Sequence, residues 1–558
     1  GLLVAGGTSG SPVTHSIGSN LVVLGGNTYD LNLAVDANTT LDVQGVLRSS
    51  FNVTKTLPGT LQLSAKQYFN TGGNWFTVAA GKVILNAGNN TLYPGRNMAV
   101  GAGATLDLNG TTQTIGGLMT PEGARRYAGG VVTNSSATHA NLVTNNGGSW
   151  FFGGVISGNL SFLKAGGGHQ VFQVPQTYTG STYIGQTQLY LQDSGTLANT
   201  SSITVNKAEL LIDNATATTT INDRVNDAAP ITLSSGWLMF RGRVGSQSSE
   251  TLGVTTLAGG VSAFQAASGG TSGLSTVGAS TVLTLTDLVR SSTDAMLIVR
   301  DAPGGLGNNA YRILVTSRES NPGLVNNIIG GWADVNGSEF LSYVPGRGLG
   351  QLGSTGFPAY DNGGSLTGAT ATQNISLGST QTVAAGGQAI NAVRFGGSFV
   401  INFASGTDTL NIVSGGIITG SANTSIGAGR LTAGPVSGAV GTQHLYIHAN
   451  SNRLALNATI VDNSANAPVR LVTAFYNNNG GVTMTAANTY TGGTVFQGWD
   501  TGGTSHGAML DGAYGTVVIP AGGLTITNTT VTMLNNSGQI DPTNVVTING
   551  AATLTLFG

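Results

Sequence analysis

The sequence predicts an all-β protein, a right-handed parallel β-helix (β-solenoid) with loop excursions. Three observations predict it. Short apolar strands alternate with a period of two, small-residue corners interrupt them every few residues, and one phrase of residues recurs along the chain. A sequence similar to itself at intervals of roughly 20–50 residues signals a repeat architecture, in which each turn is stabilised by the next.

The strands come first. Leu31-Asn32-Leu33-Ala34-Val35, Leu41-Asp42-Val43, Val83-Ile84-Leu85, Met98-Ala99-Val100 and Thr105-Leu106-Asp107-Leu108 place an apolar residue at every second position. That spacing puts one face of an extended chain into a core and leaves the other outside. Ile203-Thr204-Val205, Leu210-Leu211-Ile212, Ile231-Thr232-Leu233 and Trp237-Leu238-Met239-Phe240 continue the pattern, as do Ile412-Val413, Leu445-Tyr446-Ile447 and Val517-Val518-Ile519. No window holds the i, i+3, i+4 stripe of a helix.

The corners follow from composition. Glycine supplies 87 of 558 residues, proline 14, and charged residues only 8%, against about 25% charged in ordinary soluble domains. Glycine shows no three-residue period, which excludes collagen. The 40% apolar content excludes disorder, which pairs weak hydrophobicity with high net charge. Sharp bends stacked on one another have room only for Gly, Ser, Thr or Asn. Turns of about 22 residues, spaced ~4.8 Å apart, account for the rhythm.

The recurring phrase is clearest at Asn488-Thr489-Tyr490-Thr491-Gly492-Gly493-Thr494-Val495-Phe496. A second copy is Gln176-Thr177-Tyr178-Thr179-Gly180-Ser181-Thr182-Tyr183-Ile184, and a more worn one runs from Tyr68 through Gly72 and Gly73 to Phe76. Asn27-Thr28-Tyr29 reads as a stub. Upstream lie Lys55-Thr56-Leu57-Pro58-Gly59 and Leu163-Lys164-Ala165-Gly166-Gly167. The units Val53 to Leu85, Leu160 to Leu191 and Val469 to Val495 resemble the autotransporter-associated β-strand repeat. The last lacks the leading lysine, and the second carries Ser181 in place of the second glycine. The resemblance implies an exported bacterial β-helix and leaves molecular function open, because proteins with different tasks share this repeat.

Other function classes are narrowed by what the chain contains. Net charge is −2 and no basic run exceeds Arg125-Arg126, so no nucleic-acid footprint is present. The absence of cysteine removes disulfide and thiolate chemistry. No stretch reaches the roughly 18 apolar residues of a membrane helix. The sequence starts at Gly1 without a signal peptide and reads as a mature or excised piece.

The organisation expected is β-helix turns over 1–286, an irregular and more charged excursion over 287–368, and β-helix turns again over 369–558. The excursion concentrates Asp294, Arg300, Asp301, Arg312, Arg318, Glu319, Asp334, Glu339 and Arg347. It reads as a packed loop region, with a recognition surface as the alternative.

Chemistry-bearing candidates are few. Gly503-Thr504-Ser505-His506-Gly507 is a formal G-x-S-x-G, but no helix-forming stretch follows it, as a nucleophile elbow needs. His444, Tyr446 and His448 share one strand face and read as an outward polar row, since the local sequence offers no third metal ligand. Asp223, Arg224 and Asp227, like Asp294, Arg300 and Asp301, read as charge pairs in loops. The aromatic groups Tyr68, Phe69, Trp75, Phe76 and Trp150, Phe151, Phe152 read as inward stacking, with an exposed sugar-binding platform as the alternative.

The residues that carry the repeat are therefore structural corners: Asn488, Thr489, Tyr490, Gly492, Gly493, Thr177, Tyr178, Gly180, Gly72 and Gly73. Neither a cofactor nor a metal is expected. The functional expectation is a non-enzymatic structural protein of the bacterial surface or exterior, self-associating into a filament, sheath or array. A monomeric adhesin passenger contacting surface glycans or other cells is the alternative, and a polysaccharide-active enzyme the third reading.

Overall fold

The computed structural model describes residues 2–23, 30–49, 51–69, 74–125, 127–215, 217–268, 279–301, 305–476, 479–499 and 507–557, with backbone alone for 21–23. The chain is nearly all β and forms a parallel β-solenoid; no α-helix occurs among the described residues. Contacts divide it into two compact units, 1–255 with 266–286, and 256–265 with 287–558.

In the first unit the strands stack in parallel, register upon register. Val53 lies on Leu31, Phe76 on Val53 and Met98 on Phe76, a step of 22 or 23 residues each time. A second face is built the same way, with Leu61 on Leu41, Val83 on Leu61 and Leu106 on Val83. The period of two decides which side chains are inside. Leu31, Leu33 and Val35 are buried, while Asn32 between them is exposed.

The second unit repeats the design. Val393 stacks on Ile375, Ile417 on Val393, Ile447 on Ile417, Thr473 on Ile447, Phe496 on Thr473 and Ile526 on Phe496. One apolar core runs along this ladder from Leu366 to Met533. Its last described strands, Val546–Asn549 and Thr553–Thr555, stack on Leu524–Thr527 and Thr530–Met533. Val545, Ile548 and Leu556 are exposed there.

Several predicted strands shift at their ends, and two merge. Ile203–Asp213 pairs continuously with Thr182–Leu191. The expected corner survives inside them as left-handed backbone at Lys207, stacked beside Gln186 and Thr187. Val517-Val518-Ile519 forms no strand, and only Ile519 makes an isolated bridge, to Ile540.

The stretch 287–368 is more regular than an excursion. Met296–Arg300 pairs in parallel with 261–265, and Ala333–Val335 stacks on it in turn. Direction then reverses: Glu339–Val344 and Gly348–Gln351 continue as an antiparallel meander.

Candidate functional site

The repeat phrase proves to be a device for joining turns. Tyr178 and Tyr490 are both buried, and each hydroxyl lies 2.6 Å from a threonine hydroxyl four residues on, Thr182 and Thr494. Two residues before each tyrosine a buried amide side chain bridges neighbouring turns. Asn488 Oδ1 accepts from Ile460 N at 2.7 Å, and its Nδ2 donates to Val518 O at 2.8 Å. Gln176 Oε1 accepts from Ile156 N at 2.8 Å, and its Nε2 donates to Gly154 O at 3.1 Å.

Thr177 and Thr489 face outward from the same short segments. Gly180 and Gly492 donate to the carbonyls of Leu160 and Val469 at 3.0 and 2.9 Å. A Cβ at either glycine would lie 2.4 Å from that same oxygen, so only glycine fits. Gly493 adds a left-handed backbone, φ 87°. Gly72 and Gly73 lie outside the described residues.

The leading lysines are part of this device. Lys55 Nζ donates to the carbonyls of Leu57, Gly59 and Ala80 at 2.5, 2.5 and 3.0 Å. Lys164 Nζ donates to Gly166 O, Gln186 O and Thr187 Oγ1 at 2.6, 3.1 and 2.6 Å. Each ammonium therefore ties the corner of its own turn to the next.

Burial lowers both lysines from 10.5 to about 8. Between those values the folded chain holds fewer protons than the unfolded one, so stability rises with pH across the window. Chemical unfolding midpoints are expected to increase from pH 8 towards 10.5. In the double variant K55M/K164M that rise is expected to flatten; an unchanged slope would remove these two groups as its source.

The row His444, Tyr446 and His448 does point away from the core, but Tyr446 and His448 are buried there and only His444 stays partly exposed. His448 is fully buried, with Nδ1 2.7 Å from Asp334 Oδ2 and 2.8 Å from the Tyr476 hydroxyl, while Nε2–H donates to Gly331 O at 2.8 Å. Tyr476 also hydrogen-bonds the Asp334 carboxylate. Burial, and then that carboxylate, push the Tyr476 phenol well above its ordinary value.

Two residues away on the same segments, the Arg290 guanidinium lies over the rings of Trp332 and Tyr446, 4.7 and 5.1 Å from their centres. Asp294 takes Arg470 in two contacts of 2.7 and 2.8 Å, and Glu339 pairs with Arg394 at 2.8 Å. Asp294, Asp334 and Glu339, charges of the 287–368 stretch, are thus spent in covering the sheet beneath.

The expected loop charge pairs need the same correction. Arg224 is fully buried and donates to Gly195 O, Asp193 O and Asn214 Oδ1 at 2.6, 2.7 and 2.9 Å. The backbone N–H groups of Arg224 and Val225 donate to the Glu250 carboxylate, whose burial raises it to about 8. Arg300 stacks over Trp499 at 4.9 Å, and Asp301 accepts from Gln351. Ser505 and His506 lie outside the described residues, and among the described residues no cluster of three His, Asp or Glu could hold a metal.

The aromatic groups divide. Phe69, Phe76 and Phe152 stack inward as expected, whereas Trp75 and Trp150 are half-buried and Phe151 is exposed. These three line a groove of about 900 Å³ in the first unit, with Asp30, Asn52, Thr54, Thr77 and Glu122 around them. The two indoles meet edge to face, their ring centres 4.8 Å apart. Beneath them the fully buried Arg96 donates to the carbonyls of Trp75 and Phe51 at 2.6 and 2.8 Å, and Asn52 Oδ1 accepts from Trp75 N at 2.8 Å.

Comparison with known proteins is sparse. No family model matches the chain, and no solved structure does. Two proteins named serine protease EspP, from Escherichia coli and from Escherichia coli O157:H7, are 29% identical to it over 162 residues, 26% of this chain. The chain spans 11% of the length of each. A parallel β-solenoid with this partial similarity fits an autotransporter-passenger-like β-helix in general terms.

Among the described residues no helix is long and apolar enough to cross a membrane.

Proposed function

We propose that this chain is a structural β-solenoid working outside the bacterial cell or on its surface, without catalytic activity of its own. The observation that carries the reading is the parallel stacking of turn on turn in the first unit and over 374–555 of the second, tied at its corners by Lys55, Lys164, Gln176 and Asn488. Such a ladder meets its backbone hydrogen bonds turn by turn and resists proteolysis and local opening. The low charge also weakens the repulsion that keeps sheet edges apart.

Apolar side chains exposed beside the last strands, Val545, Ile548 and Leu556, offer a surface for end-to-end contact between copies. Addition of further copies there is heterologous and builds filaments, sheaths or arrays rather than closed rings. Electron microscopy and light scattering over rising concentration test this. Growth of regular fibres or arrays is expected; monodisperse single chains at every concentration would leave the adhesin-passenger reading, which the exposed aromatic groove favours.

Similarity to a serine protease makes labelling by a fluorophosphonate the matching test for catalysis. No labelling of the folded chain is expected, and stoichiometric labelling at one serine would replace the structural reading with an enzymatic one.

A further inference from the structure

The groove around Trp75 and Trp150 is built rather than incidental. Asn97 and Gly117 occupy the strand positions next in line after Trp75: Trp75 pairs with Asn97, and Asn97 Oδ1 accepts from Gly117 N at 2.7 Å. Trp150 lies down across Gly117. A Cβ there would come within 2.4 Å of the indole Cδ1 and Nε1. The missing side chain at Gly117 is what lets two tryptophans, 75 residues apart in sequence, come into ring contact. Arg96 and Asn52 hold the backbone of Trp75 from beneath.

We propose that this groove binds a neutral oligosaccharide of gluco-configured pyranoses joined by equatorial, β bonds, which keep the chain extended and each ring's C–H face open to the indoles, a reading independent of self-assembly. The lining decides the class. A pyranose with equatorial substituents presents a face of C–H groups, which packs on an indole as another apolar surface does. Its rim of hydroxyls needs both donors and acceptors, and Thr54 and Thr77 offer both while Asp30 and Glu122 accept. The charged side chains lining the groove are these two carboxylates, which outnumber the one buried guanidinium beneath, Arg96, so an anionic glycan is disfavoured. The volume, about 900 Å³, is near the upper end of small-molecule sites and suits several sugar units rather than one.

The test uses the whole chain and four soluble probes: a β-1,4-linked glucose tetramer, an α-1,4-linked glucose tetramer, a galacturonate oligomer and choline. Calorimetry measures binding, and acrylamide quenching of tryptophan emission in the unaltered protein reports whether the indoles are covered.

The β-linked tetramer is expected to bind and to shield the emission, with the other three at least about tenfold weaker. W150A and G117A are each expected to weaken it at least about tenfold, the first by removing a ring and the second by displacing it. Unaltered quenching at millimolar β-tetramer overturns the proposal without recourse to any variant. So does preferential binding of choline, which would make the site an ammonium cage, or of the galacturonate.

Discussion

Replacing Asp334 by alanine is expected to loosen the covering layer of the second unit and cost about 2–5 kcal/mol, because several hydrogen bonds to one buried carboxylate are lost at about 1.5–3 kcal/mol each. The carboxylate has no access to solvent and serves three groups at once: His448 Nδ1, the Tyr476 hydroxyl and the backbone N–H of Gly337. Its loss opens a void beside the imidazole and the phenol, which keep their 2.8 Å contact with each other, and takes the acceptor from the Gly337 N–H; an unsatisfied buried polar group costs about 1–3 kcal/mol. Tertiary packing next to the cluster, such as Arg290 over Trp332 and Tyr446, is untouched. The damage is therefore expected to be local.

Amide hydrogen exchange reads this directly. Protection is expected to fall at Ala333–Val335, Glu339–Val344 and Gln443–Ala449 and to be preserved in the first unit. D334N keeps one acceptor and should lose less. An exchange pattern in D334A equal to that of the unaltered chain would show that the cluster contributes nothing to holding the layer.

The second large effect is expected at Arg224. Methionine there keeps much of the volume and deletes every donor, so the carbonyls of Asp193 and Gly195 lose the guanidinium and Asn214 Oδ1 keeps only its longer bond from Ile221 N. Glu250 loses a nearby positive charge as well, and its carboxyl, already raised to about 8 mainly by burial, is driven further towards its neutral form. Together these place the cost of R224M at about 3–5 kcal/mol. Lysine is a poor substitute, because a point charge cannot reproduce a planar fork that reaches three oxygens. Protease susceptibility around residues 193–250 is the readout, expected to rise sharply in R224M and nearly as much in R224K. Equal digestion rates for all three proteins would count against a clamping role.

Much of the fold was legible because its signals are local. The alternation in Leu31–Val35 appears unchanged as a buried and exposed pattern, and the glycines after Tyr178 and Tyr490 sit where stacked corners demand them. What was not legible depends on residues far apart in sequence. Arg290 meets Tyr446 across 156 positions, and Asp294 meets Arg470 across 176. From its own strand His448 is one polar residue in an outward row, which ordinarily means solvent; only the layer laid over it makes the residue internal. Arg224 misled for a related reason, since its acceptors are backbone carbonyls that leave no mark in the sequence. The groove was half visible. Trp75 and Trp150 could be picked out as a sugar platform, but their contact depends on an absent side chain at Gly117.

The most direct test of the stacked coil uses the fact that the chain contains no cysteine. Thr54 and Thr77 are register partners on adjacent turns of the first unit, as Ser425 and Ala455 are in the second. Adjacent parallel strands lie about 4.7–4.9 Å apart, within the span a disulfide can bridge, about 4.4–6.8 Å between Cα atoms. Asn32 and Thr77 are separated by two such steps, through Thr54. Mild oxidation should close T54C/T77C and S425C/A455C almost completely within one chain and leave N32C/T77C as free thiols. Bridging in N32C/T77C together with free thiols in the two register pairs would mean that the turns are not laid one upon the next.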